Sequence, residues 1–456
     1  MRLFSDLVPR VLVLAALLGP FNSTAASAAE TSPHPTSSSI SAESPKFRDI
    51  SAQKGRPGGG YGSAADSDWA QNGADPGRSG HQALTGGLNA TTVAGLRPAW
   101  TAAPPTRDEQ INGAIIVDGT LFRTSQGPSG QIRRFDAYTG ADLGPIVDVP
   151  GRALGQLAAA SEVSAGEMLA GGALAGETLV VESLERKEVR RFLAGYRLNG
   201  RPRWEIPLPE GVSGGFTVGA GLVLRSAGAT LTAYRVADGS TAWSAPLDGE
   251  PGLHAPVLLG GLVLQGTESG RLQAFVAATG APAWARDASG AELVGADGAV
   301  YAVGERGVCA YAVADGAQRW CDAETLQSPV YATVDAGGSG TVYVVDGHGG
   351  LAAFAAGDGV VRWRVGYGLQ AEVDASYWAP VNGGGVVYAV AYHFAVRGGV
   401  STHRTELIAV DAGTGALVRR LDLDVEAMVG GEPLLLSGDH VYFAALERVY
   451  VFGLIS

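Results

Sequence analysis

Cysteine, charge and long apolar runs are all scarce in this chain. Only 2 Cys and 7 His stand among 456 residues. A disulfide-dense scaffold or a cysteine-rich metal module is therefore excluded. No Cys-x-x-Cys, His-Glu-x-x-His or phosphate-loop pattern occurs. Charged residues make up 17% of the chain and leave a formal net charge of -12. Such a surface repels phosphate backbones and anionic lipid, so neither nucleic acid nor a membrane surface is expected as a partner. The N-terminal apolar run Val11–Leu18 is too short to span a bilayer, and no later run is longer and equally apolar, so no stable membrane insertion is expected.

What the chain does have is glycine, 67 residues of it without a collagen period, together with 46% hydrophobic residues. That composition excludes global disorder and points to many tight turns between short strands. The first residues read as a secretory signal. Arg2 and Arg10 flank the apolar run, and Ala26-Ser27-Ala28 fits the small-x-small cleavage rule. A signal peptide over 1–29, cleaved near Ala28 or Ala29, predicts a secreted or cell-envelope location. Residues 30–66 are rich in Ser, Pro and Gly and read as a disordered tether. Residues 67–456 carry the folded part.

From Trp100 onward the chain repeats. Glycines 140, 200, 239, 280, 316, 359 and 415 are mostly about 40 residues apart, the length of one four-stranded blade. Four residues after the glycine stand Trp204, Trp243, Trp284, Trp320 and Trp363. Six residues before it stand Ala194, Ala233, Ala274, Ala310, Ala353 and Ala409. Within each period, apolar runs alternate with Gly and Asp turns, which is the hairpin signal. A further strand, opened by Pro256, Pro329, Pro380 or Pro433, precedes the hairpins. The stretch after Pro433 supplies three strands and stops, and Leu96–Trp100 matches the missing fourth. The expected fold is all-β: an eight-bladed β-propeller of four-stranded antiparallel blades, closed by pairing N- and C-terminal strands. Seven blades is the nearest alternative.

The Ala-x-x-x-x-x-Gly-x-x-x-Trp unit resembles the tryptophan-docking repeat of the pyrroloquinoline-quinone (PQQ)-like β-propeller family. The fullest matches are Ala274–Trp284 and Ala409–Gly415, and the segment Asp68–Trp100 resembles the family's lead-in to the propeller. The resemblance implies structural docking roles for Trp100, Trp204, Trp243, Trp284, Trp320 and Trp363. A flat indole can plug the gap between blades, Ala admits a close backbone, and Gly supplies a positive φ at the hairpin tip. The family includes PQQ- and calcium-dependent dehydrogenases and also non-catalytic assembly scaffolds. This chain has no adjacent cysteines of the kind found near the quinone, and no motif carries over calcium ligands or a catalytic Asp.

Cys309 and Cys321 lie six residues to each side of the turn at Asp315, so a hairpin would set them face to face as a disulfide. Two segments break the period. Glu182–Arg191, with Arg186, and Tyr392–Arg404, with His393, lengthen the hairpin between second and third strands. Both open on the face that also carries the connections between blades. Glu372–Trp378 joins that face with Asp374, Tyr377 and Trp378, while His254, Gln327 and Glu432 are expected around the mouth. The leading expectation is an exported, non-catalytic binding or scaffold protein, with no cofactor, presenting this face to a protein, glycan or cell-envelope partner. One alternative is a PQQ- and calcium-dependent quinoprotein dehydrogenase using Glu372, Asp374 or Glu432. The other is a propeller hydrolase or lyase.

Overall fold

The computed structural model describes residues 48–49, 68–83, 85–102, 110–160, 178–209, 215–251, 254–288, 292–304, 307–324, 329–336, 340–346, 350–366, 374–377, 379–397, 400–423, 434–446 and 448–454. The expected signal peptide and most of the expected tether lie outside them. The described chain is all-β, with a single 3-10 turn at Val93–Gly95. No helix among the described residues is long and apolar enough to cross a membrane.

Among the described residues the strands form seven hydrogen-bonded sheets, four of them four-stranded; the eight-stranded sheet divides at the single Gln126↔Ala153 pairing into two four-stranded antiparallel units, so that eight such units can be followed. Seven follow one another along the chain, over 110–150, 152–207, 216–246, 257–287, 292–322, 329–366 and 381–422. The fifth shows why the sequence folds this way. Glu292–Ala296 and Ala299–Gly304 are joined by Asp297-Gly298, both with positive φ, the two-residue turn that matches strand twist. Asp118-Gly119 and Ala220-Gly221 make the same turn in the first and third units. Gly307–Ala312 and Gln318–Asp322 complete the sheet, and Cys309 faces Cys321 across it in a disulfide with a Cα–Cα distance of 4.1 Å.

The eighth unit is made from both ends of the described chain. Leu434–Ser437, His440–Ala444 and Val449–Leu454 are joined by Leu96–Ala102, antiparallel to the last of them. Arg48–Asp49, inside the stretch expected to be free tether, pairs in parallel with Trp100 and Thr101 on the outer edge of that unit. An exposed strand edge offers unpaired donors and acceptors, which is what holds this dipeptide there.

Each unit buries its face on the next. Tyr301 and Trp320 of the fifth unit share one core with Val342 and Phe354 of the sixth. The indoles make that contact directional. Trp204, Trp243, Trp284, Trp320 and Trp363 each donate Nε1–H to a carbonyl of the following unit, at Val236, Ala277, Val313, Ala356 and Ala412, over 2.7–3.0 Å. Each ring also lies on the tip glycine of that unit. A Cβ added to Gly280 would sit 2.5 Å from the Trp243 ring. Within its own sheet the indole stands opposite the repeat alanine, as in Ala274↔Trp284 and Ala353↔Trp363. In the second unit the register moves by one, and Gly195 faces Trp204.

The two breaks in the repeat are longer ladders. In the seventh unit Val386–Arg397 pairs with Val400–Asp411 as far as Arg397↔Val400, and Asp374–Tyr377 adds to the same sheet. In the second unit Thr178–Glu185 pairs with Arg190–Arg197 around a turn at 186–189.

Candidate functional site

The first strands of successive units lie side by side, from the first unit to the eighth. The segment 68–83 runs among them. Trp69 exchanges backbone hydrogen bonds with Ile116 of the first unit. Ala159 of the second unit donates N–H to Ala70 O. In the third, the Gln71 amide accepts from Val218 N and donates to Val218 O. Pro76, Gly77, Ser79 and Gly80 then accept N–H from Leu258, Gly295, Val334 and Asn382 of the fourth to seventh units, each at 2.8 Å. Several of these partners, such as Ile116, Ala159 and Val334, stand late in their strands. The segment thus sits toward one end of the first strands. In an antiparallel unit the turn between second and third strands lies at the opposite end. That opposite end carries the turn at 186–189 and the long seventh-unit hairpin.

Polar side chains rise from the segment toward the open end. Glu292, at the start of its strand and 5% exposed, holds Arg78 at 3.4 Å and accepts a short hydrogen bond from His254 Nδ1. Burial pushes the Glu292 carboxyl up, but the charges of Arg78 and His254 and the His254 hydrogen bond outweigh it and leave it below the ordinary glutamate range. Arg78 also donates to Ala255 O at 3.4 Å. Beyond it, His81 Nδ1 donates to Asn382 Oδ1 at 2.6 Å and lies 3.6 Å from Asp335. Asp75 caps the turn, accepting from Ser79 N at 3.1 Å and from Ser79 Oγ, and burial raises its carboxyl. A small cavity is lined by Arg78, Glu292, Gly73, Gly80, Pro380 and Leu434, among others.

Of the expected mouth residues, His254 is placed at the start of the fourth unit and turned onto Glu292. Arg186 is exposed in the second-unit turn. Asp374 and Tyr377 stand on the added seventh-unit strand, Asp374 opposite Phe394 and Ala375 opposite His393. Asp374, Tyr377 and His393 thus share one ladder, and Arg186 belongs to a different sheet. Glu372, Trp378, Gln327 and Glu432 lie outside the described residues. Arg78 and Glu292 are absent from the sequence-derived set. A lone carboxylate opening an otherwise apolar strand, Glu292-Leu-Val-Gly-Ala, was the available signal for the second.

The described residues do not fit a calcium-bound quinone. Calcium takes six to eight oxygen ligands, several of them carboxylates. The buried carboxylate nearest this centre, Glu292, is already paired with Arg78 and hydrogen-bonded to His254. Among the described residues no group of three or more His, Cys, Asp or Glu is arranged to hold a metal ion.

Known proteins share this architecture. The BamB from Moraxella catarrhalis is 15% identical, with a TM-score of 0.52 over 78% of this chain and 99% of its own. Quinohemoprotein alcohol dehydrogenase ADHIIG from Pseudomonas putida HK5 is 13% identical, with a TM-score of 0.58 over 86% and 81%. The computationally designed Ika8 protein is also 13% identical, at 0.56 over 77% and 98%. At these identities the likeness speaks for the β-propeller fold alone. No curated protein matches by sequence. The family model described as outer membrane protein assembly factor BamB matches residues 128–286 and 246–452, well over half of the chain. By that match, and by the glycine-docked indoles repeated through its units, this chain belongs to the BamB-type, PQQ-like repeat family of β-propellers.

Proposed function

We propose that this protein is an exported, non-catalytic binding or scaffold propeller, its eight units closed into a ring by the shared last sheet. It presents the face of the long hairpins to a protein, glycan or cell-envelope partner. One observation carries the reading: the chain's own segment 68–83 is hydrogen-bonded along the first strands, where a propeller would hold a small ligand, and the buried carboxylate beside it, Glu292, is spent on Arg78 and His254. Recognition is left to the opposite face, where Arg186 and Lys187 are exposed on one turn and the seventh-unit hairpin extends the other. Family membership supports a protein partner in the cell envelope.

The test is crosslinking of the exported protein in its own cell envelope, comparing the native chain with Arg186→Glu/Lys187→Glu. A specific adduct that the charge reversal weakens severalfold supports this face. An adduct that is unchanged assigns the contact elsewhere. In parallel, the purified protein is titrated with PQQ with and without calcium. Calcium-dependent saturable binding with turnover of an alcohol would replace this reading with a dehydrogenase.

A further inference from the structure

We infer that residues 68–83 are an intramolecular clasp, a strand-like band that holds the units together from within and fixes how many of them close. It rests on the ring closure proposed above and not on which partner the open face binds. The observation is order. The acceptors Trp69 O, Ala70 O, Gln71 Oε1, Pro76 O, Gly77 O, Ser79 O and Gly80 O take one backbone N–H from the first, second, third, fourth, fifth, sixth and seventh units in turn. Gln82 Nε2 then reaches Leu436 O of the eighth at 3.4 Å. The band passes each unit once, in the sense in which the chain lays them down.

The physical need is plain. The first strand of every unit is an edge strand whose donors face the crowded centre, and a buried donor without an acceptor is costly. The segment supplies one acceptor for each of seven such edges. Its two ends meet, Gln82 Nε2 donating to Asp68 O at 3.2 Å. Trp69, 2% exposed, shares a cluster with Ile116 of the first unit and Leu434, Leu435 and Leu436 of the eighth. The fit leaves no slack at the fifth unit, where a Cβ on Gly77 would lie 2.4 Å from Gly295 O. A missing or extra unit would leave either a clasp acceptor or a strand donor unmatched.

The test is a site-specific protease sequence inserted between Gly86 and Gly87, both exposed, and cut after folding. The cut fragment is expected to stay with the rest on gel filtration. The Tm of the cut protein should fall with each tenfold dilution, while that of the uncut insertion variant does not, because a bound segment stabilises by mass action once it is a separate chain. Release of the fragment with Tm unchanged would overturn the clasp. Should the cut protein precipitate, Gly77→Ala decides in the intact chain. It is expected to speed amide exchange at Leu258, Gly295 and Val334 at least tenfold and to lower Tm. Exchange and Tm equal to the native protein would again overturn it.

Discussion

Two kinds of contact between neighbouring units coexist in this molecule. From the second unit to the seventh, five interfaces share one device, an indole lying on the next tip glycine and donating to the carbonyl three residues before it. From the seventh unit through the eighth to the second the device is broken three times. Trp100 stacks on Phe135 at 6.5 Å, but its Nε1 has no partner among the described residues, and the corresponding carbonyl, Ala137 O, accepts instead from the Tyr442 hydroxyl at 2.9 Å. Gly144 stands where the first unit would carry its indole, and the Ile146 backbone lies against Gly200 in its place. Arg419 stands where the seventh unit would carry one. The repeat supplies uniform docking, and the junction of the two chain ends relies on side chains that occur once.

If that division is right, the largest loss comes from the regular interfaces. Trp320 packs between Tyr301 and Phe354 and donates to Ala356 O. Trp320→Ala should cost about 3–5 kcal/mol in urea unfolding. A loss under 1 kcal/mol would mean that the indoles are not what holds these units together. Next comes the centre. Glu292→Gln strands Arg78 and His254 beside a neutral amide and should cost about 3 kcal/mol at neutral pH, as breaking a buried ion pair does. The sign with pH follows from a folded carboxyl held below its ordinary range. Its contribution is complete above the unfolded pKa and is lost as pH falls through the folded one. Native and variant urea midpoints should therefore stay apart at neutral pH and draw together as pH falls below the ordinary glutamate range. A gap that stays constant would show that Glu292 acts through packing.

The difference between the two kinds of contact also marks what the sequence disclosed. The Gly-to-Trp spacing was legible because every period needs the same positive φ and the same flat ring, so the signal adds up over the chain. The pairing of Leu96–Ala102 with the C-terminal strand was legible as a missing fourth strand. Segment 68–83 was not, because it occurs once, follows no period, and offers mostly carbonyls, which every residue type has. Its lead-in resemblance at Asp68-Trp69 gave its presence but not its path. The sequence offered His254 as a mouth candidate without its partner, because Glu292 lies 38 residues away in the next unit, where only the fold brings them together.

Smaller effects sharpen the junction itself. Tyr442→Phe deletes the hydroxyl bound to Ala137 O and should cost about 1–2 kcal/mol, leaving a buried carbonyl unmet. Trp100→Phe, which deletes an Nε1–H that has no partner among the described residues, should lose less than Trp243→Phe, which deletes a bond of 2.8 Å to Ala277 O. Equal losses at the two tryptophans would erase the distinction between junction and regular interface.

The smallest expected effect is the most discriminating. Arg419→Trp restores the repeat residue, and a view based on sequence alone would expect stabilisation. Docking, however, needs a tip glycine on the following unit. In the eighth unit the third strand ends at Leu454 and the fourth begins at Leu96, so no turn joins them and no tip exists. Arg419 instead feels the charge of Arg97, and its strand Leu417–Asp422 packs against the turn at Val93–Gly95. Burial and that neighbouring cation both hold the Arg419 guanidinium below its ordinary pKa. An indole there would meet no platform, and the change in unfolding free energy should stay within about 0.5 kcal/mol. A gain of 1 kcal/mol or more would show that an indole docks there without a tip glycine, and that the junction is less distinct from the regular interfaces than its residues indicate.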